Sequence, residues 1–127
     1  MPKNVEITRT AEISLEKEGY IKFKIIPGSV IDKEDALDNF LVIKTLSQGK
    51  KTRKLIDLRG NWKFSKKARE LSKKHVSPEN TIARAYITDS FFTKLLLNFF
   101  KSFDHQGAPQ AFFDNEKEAI EWLLIQD

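Results

Sequence analysis

The segment TIARAYIT, Thr81 to Thr88, is the clearest strand in the chain. β-branched and aromatic residues dominate it and Arg84 is its one charge, the composition of a strand buried inside a sheet. On its C-terminal side, Asp89 or Ser90 can cap a helix, FFTKLLLNFFKSF, that the turn HQGAP breaks. PQAFF then suits a last strand and DNEKEAIEWLLI a last helix, with Asn115 and Glu118 spaced as a capping box. On its N-terminal side, the loop VSPEN follows a lysine-rich helix that Ser65 caps and that ends near His75, with Phe64, Ala68 and Leu71 as its inward stripe. Arg53 to Leu58, with the core LIDL, suits a short buried strand. Before it, Asp32 opens a helix whose Ala36, Leu37, Phe40, Leu41, Ile43 and Leu46 recur at helical spacing, and Gly49 stops it. Thr10 to Glu16 and Tyr20 to Ile26 nearly alternate apolar and polar residues around Lys17, Glu18 and Gly19, the pattern of a β-hairpin.

The resulting order, ββαβαβαβα, predicts an α/β fold. Its sheet is mostly parallel, made mixed by the leading hairpin, and four helices lie on its faces. With 127 residues, no repeat and no linker-like tract, the chain is expected to form one domain over residues 10–127, preceded by a tail at 1–9. Hydrophobic residues at 40% and charged residues at 31% exclude the disordered class. The absence of cysteine removes disulfides, thiolate nucleophiles and zinc ribbons. No apolar run reaches the roughly 18 residues of a membrane span, and MPKNVEITRT lacks a signal-peptide core, so a cytoplasmic location is expected.

The net charge of +4 is unevenly spread. Lys50 to Lys74 carries 11 basic residues against Asp57 and Glu70, a local charge of +9, and leaves −5 on the rest. Lys63, Lys66 and Lys67 could be a solubilising helix face. Equally, with Trp62 and Phe64 as anchors, they could be a surface for anionic lipid or an acidic protein. Nucleic acid is disfavoured, because no helix-turn-helix, RNP or zinc-finger signature accompanies the charge.

In an open parallel sheet, ligands meet the C-terminal strand ends, where the crossover helices present their N-termini. That rule selects Asp57, Arg59, Trp62 and Ser65 after one strand and Asp89 and Ser90 after the next, as ligand or partner contacts or simply as helix caps. A phospho-acceptor role for Asp57 lacks the acidic pair and the lysine that such chemistry needs. His75 and His105 have no partner at metal-ligand spacing, and no phosphate-binding glycine pattern or GxSxG elbow occurs. No metal, cofactor or catalytic set is expected. The helix SFFTKLLLNFFKSF is apolar beyond one stripe: Phe91, Phe92, Leu96, Leu97, Phe99 and Phe100 need cover from a neighbouring helix, a homodimer partner or an enclosed apolar ligand.

The run from TIARAYITDS through PQAFFDNEKEAIEWL resembles the C-terminal half of the SpoIIAA-like branch of the STAS superfamily, with Ala119, Trp122 and Leu123 in its closing helix. LIDLRGN stands where that family has its third strand and the following loop. The resemblance implies a STAS-like fold, a role in protein interaction or regulation, and kinship in shape with CRAL-TRIO lipid-binding domains. Asp57-Leu58-Arg59-Gly60 lacks the serine of the family's phosphorylatable turn, so no phospho-switch is carried over. The function expected is a non-enzymatic regulatory or protein-interaction module, dimeric or bound to a protein partner. The alternatives are a carrier or sensor of a lipid or other small apolar ligand held between the phenylalanine-rich helix and the sheet, and an anionic-surface-binding domain.

Overall fold

The computed structural model of the chain describes residues 4–75, 80–89 and 108–127. A six-stranded sheet has the order β1-β2-β3-β5-β7-β8, and β4 and β6 form a separate two-stranded ribbon. The strands are β1 Asn4–Ile7, β2 Ala11–Leu15, β3 Ile21–Ile25, β4 Ser29–Ile31, β5 Thr52–Asp57, β6 Trp62–Phe64, β7 Thr81–Ile87 and β8 Gln110–Phe113. The described helices are α1 Lys33–Ser47, α2 Lys66–His75 and α3 Glu116–Leu124. β1, β2 and β3 pair antiparallel, whereas β3, β5, β7 and β8 run parallel.

The expected hairpin is β2–β3. Its turn closes through Glu16 N–H to Tyr20 O at 2.9 Å, and Gly19 supplies the φ of +92° that a side chain would resist. Three strands were not expected. Asn4–Ile7, assigned in sequence to the tail, pairs with β2 along its whole length. β4 and β6 lie inside the two crossovers and pair parallel with each other, Ser29 opposite Trp62 and Ile31 opposite Phe64.

Each helix starts where its capping residues demand. The Asp32 carboxylate accepts from Lys33 N–H at 2.8 Å, while Asp35 accepts from Asp32 N–H at 2.9 Å. Ser65 Oγ accepts from Ala68 N–H at 3.1 Å, and Asn115 Oδ1 from Glu118 N–H at 2.9 Å. Ser65 also donates to Asp32 Oδ1 at 2.9 Å and so ties the starts of α1 and α2 together.

α1 and α2 cover one face of the sheet and α3 the other. On the α3 face, Ala83, Ala85 and Ala119 are fully buried, and their small side chains let the helix settle on the strands beside Leu55, Ile87 and Leu123. On the opposite face, Ala36 of α1 and Ala68 of α2 pack with Ile25, Leu58 and Tyr86. A third cluster, Ala11, Ile13, Ile21 and Leu46, seats the end of α1 on the hairpin. The fourth expected helix, with Ser90, Phe91, Phe92, Leu96, Leu97, Phe99 and Phe100, lies outside the described residues.

Candidate functional site

Two cross-strand rows form the sheet surface beneath α1. In one, Ile21 stands opposite Lys54 and Lys54 opposite Arg84, which in turn faces Gln110. In the next row on the same face, Phe23, Ile56, Tyr86 and Phe112 follow one another across the sheet. Tyr86 and Phe112 stack with ring centroids 5.3 Å apart. Above these rows α1 presents Ala36, Phe40, Ile43 and Ser47, a stripe at helical spacing. Ile31, Trp62 and Phe64 of the small ribbon close the front.

These elements border a half-open cavity of about 460 Å³, a size at which small molecules are bound. Its front and middle are apolar, lined by Ile25, Ile31, Phe40, Ile56, Leu58 and Phe64. Its far end, at the beginnings of β5 and β7 and the end of α1, is polar and basic: Lys44, Ser47, Lys50, Lys54, Thr81 and Arg84. Lys54 Nζ donates to Thr81 Oγ1 at 2.7 Å, Asn80 O at 2.9 Å and Thr52 Oγ1 at 3.2 Å, all neutral oxygens. Arg84, only 6% exposed, directs Nη2 at the same Thr81 Oγ1 from 3.5 Å.

Burial first, and the neighbouring Arg84 second, push the Lys54 ammonium from its ordinary 10.5 down to about 8. Between these two values the unfolded chain holds a proton that the folded chain has released, so stability rises with pH across that window. Thermal unfolding midpoints are therefore expected to increase from about pH 7.5 to about pH 9.5, and the increase should vanish in Lys54→Met. A flat profile in the unaltered protein would show that Lys54 is freely hydrated. Tyr20, pushed up to about 12 by burial and by Glu16, Glu18 and Glu116, turns the trend downward above its ordinary value of 10.

The residues singled out in sequence have local duties. Asp57 is 2% exposed at the end of β5 and accepts from Arg59 N–H at 3.1 Å, Nε at 3.0 Å and Nη2 at 2.8 Å. Burial opposes ionisation of this carboxyl, but the Arg59 bonds outweigh it and hold its pKa below the usual value. Gly60 turns the chain after Arg59 with φ +98° and lies against Pro27, where a Cβ would approach to 3.4 Å. Trp62 Nε1 donates to Leu58 O at 2.9 Å, which fixes the indole in the cavity wall, and Phe64 meets it edge-on at 6.3 Å. Both rings thus turn inward and line the cavity, whereas Lys63 between them, Lys66 and Lys67 are exposed. Ser65 caps α2, and Asp89 is exposed beyond β7. The structure brings Trp62 into the cavity and leaves Asp57, Arg59, Ser65 and Asp89 outside its lining.

Lys54 and Arg84 were not selected from sequence. A signal was present, since each is a long cation two residues before an apolar, cavity-facing position of the same strand, Ile56 and Tyr86. Among the described residues, no three His, Asp or Glu side chains are grouped to hold a metal, and no helix is long and apolar enough to cross a membrane.

A mixed sheet with parallel crossovers on one face and a closing helix on the other defines the SpoIIAA-like class, as the C-terminal sequence pattern leads one to expect. A crystal structure of an uncharacterized DUF3478-family protein with a SpoIIAA-like fold, from Shewanella loihica PV-4, superposes with a TM-score of 0.64. The two share 18% identity over 94% of this chain and 90% of that one, a likeness of fold. The chain belongs to the family described as a domain of unknown function, DUF7793, whose model matches residues 13–125. A search of the curated proteins finds no match.

Proposed function

We propose that this protein is a non-enzymatic sensor or carrier module of SpoIIAA-like fold that holds a small, mainly apolar ligand between α1 and the sheet. The observation that carries this reading is the cavity of about 460 Å³ with an apolar front and middle. A domain of this size ordinarily closes such a space with side chains, because each unfilled methyl-sized void costs about 1 kcal/mol. The polar groups with catalytic looks support the absence of a reaction: Asp57 is satisfied by Arg59, and Ser65 by the helix it caps and by Asp32.

Titration with N-phenyl-1-naphthylamine, a neutral apolar dye whose fluorescence rises out of water, tests the reading. Saturable enhancement at one site is expected. Ile56→Trp, which puts a larger side chain onto the cavity floor, should weaken it by about tenfold or more while leaving the circular dichroism spectrum unchanged. Absence of saturable binding to folded protein would overturn the proposal, as would unaltered binding by Ile56→Trp.

A protein-interaction role is favoured by a different observation, the exposure of Leu37 and Leu41 at 39% and 53% along the outer side of α1. One helical turn apart, they form the start of an apolar contact stripe. If that stripe joins two copies of the chain, light scattering will give a dimer mass that Leu41→Glu halves; a monomer in both cases removes the homodimer.

A further inference from the structure

Resting on the reading of Leu37 and Leu41 as a contact stripe, we propose that its partner is a second copy of this chain, docked α1 against α1 in antiparallel. Leu37 of one copy then lies on Leu41 of the other, and Glu34 pairs across the two-fold axis with Lys44.

Four exposed residues set the pattern. Glu34, Leu37, Leu41 and Lys44 follow one another along α1 at intervals of three, four and three residues, and all four are exposed. Intervals alternating in this way bring them to one side of the helix, as in the seam of a two-stranded coil. Asp35, Asn39 and Leu46 stand on the opposite side and are buried, so the fold commits that side to the sheet and leaves the seam to solvent. Leu37 and Leu41 keep 39% and 53% of their surface there, too much for a stripe that water alone covers to be without cost. Among the described residues, the ion pairs Arg9–Asp35, Lys22–Glu116 and Arg59–Asp57 use neither Glu34 nor Lys44, which leaves both charges to a partner.

The order of residues along the seam selects that partner. Read backwards, the intervals are unchanged, the two leucines exchange places, and the carboxylate exchanges with the ammonium. A second α1 running the other way therefore presents Lys44 where this one has Glu34, and Leu41 where this one has Leu37. An isologous contact needs such a patch, one that is complementary to itself. A parallel pair in the same register would set Glu34 against Glu34 and Lys44 against Lys44, bracketing the leucines with like charges. Antiparallel pairing also lays the helix dipoles head to tail. Asp38, beside the seam, then comes near its own copy, one repulsion at a solvated rim against two attractions.

Glu34 in the first turn and Lys44 in the last also suit the dipole of their own helix, so the test must separate that duty from pairing. Sedimentation equilibrium from about 10 μM to about 1 mM, the span of a weak association, reads the dimer directly. The unaltered chain should show a monomer–dimer equilibrium that about 0.5 M sodium chloride weakens. Glu34→Lys or Lys44→Glu alone puts like charges at two symmetry-related points and should weaken the dimer by about fivefold or more. The two changes together restore the attraction with its sense reversed, and should return the dimer to within about twofold of the unaltered chain. For the dipole of α1 itself the double change is the worst of the three, so recovery can come only from pairing. Circular dichroism checks each fold; Glu34→Gln and Lys44→Gln, each expected to weaken the dimer by about twofold or more, replace a reversal that unfolds. A dimer lost to Leu41→Glu but indifferent to the single charge changes, or one that the double change fails to recover, would overturn the antiparallel pairing while the stripe stands as a contact. A chain still monomeric at about 1 mM, or a dimer that Leu41→Glu leaves intact, would instead remove the homodimer through α1 altogether.

Discussion

Leu55→Ala is expected to remove about 2–5 kcal/mol of stability and to lower the unfolding midpoint by roughly 10–20 °C. Leu55 is fully buried in the middle of the sheet, where Tyr20, Ala83, Ala85, Ile87, Ala119 and Leu123 form its cluster. Truncation loses the transfer free energy of the removed carbons and leaves a void that three alanines, already minimal, cannot move to fill. The backbone of β5 is hydrogen-bonded on both sides, to β3 and β7, so collapse of the sheet around the void is resisted. Urea unfolding should show a lower transition midpoint with an unchanged slope. Leu41→Ala, at a position 53% exposed, should cost less than about 0.5 kcal/mol in the same assay. A loss under about 1 kcal/mol for Leu55→Ala would contradict the packing of α3 on the sheet.

Asp57→Ala carries the second large effect, a loss of about 1–3 kcal/mol at neutral pH. The carboxylate is the anchor of the β5–β6 turn: it binds the Arg59 backbone and guanidinium at once, and Arg59, with its side chain 40% exposed, can rehydrate when released. Because the folded-state pKa lies below the unfolded one, this contribution is present above the ordinary carboxylate range and is lost as pH falls through it. The difference in midpoint between the unaltered protein and Asp57→Ala should therefore be full at pH 7 and shrink towards about pH 3. Asp57 lies outside the cavity lining, so the dye affinity of the folded variant should stay within about twofold. A difference that persists undiminished into acid would show that the carboxylate is not stabilised by Arg59.

These expectations reflect which parts of the structure local sequence can express. Asp32, Ser65 and Asn115 were legible as helix starts because a cap is satisfied within three residues of itself. The strand Thr81–Ile87 was legible because it is enclosed on both faces and carries that enclosure in its composition. β1 is only four residues long and exposed at every position, so the alternation in Asn4-Val5-Glu6-Ile7 is too short, and too little tied to a buried face, to announce a strand. β4 and β6 are three residues each and exist through pairing with one another across the sequence of α1 and β5, which no local window contains.

The candidate site was hidden for a related reason. Arg84 was noticed as the single charge in its strand, and Lys54 sat in the basic segment, but their juxtaposition depends on the register between β5 and β7. The rule that ligands meet the C-terminal strand ends drew attention to Asp57, Arg59 and Asp89, whereas Lys54 lies in the first half of β5 and Arg84 at the middle of β7, and the cavity runs beneath α1. Trp62 was found by that rule, since it follows β5 and closes the front. The lysines of the basic segment divide in the structure: Lys63, Lys66 and Lys67, read in sequence as the surface, face solvent, and Lys54 lines the cavity.

The division of the sheet into an antiparallel half and a parallel half also orders its assembly in time. Leu15 and Ile21 are brought together by one tight turn, so the β2–β3 hairpin can zip within about 1–10 μs. Ile21 meets Lys54, and Lys54 meets Arg84, only after long intervening stretches have been looped back, a closure whose entropic cost delays non-local pairing. The hairpin is thus the seed and the floor of the cavity a late product of folding, and a ligand held on that floor would retard unfolding more than it hastens folding.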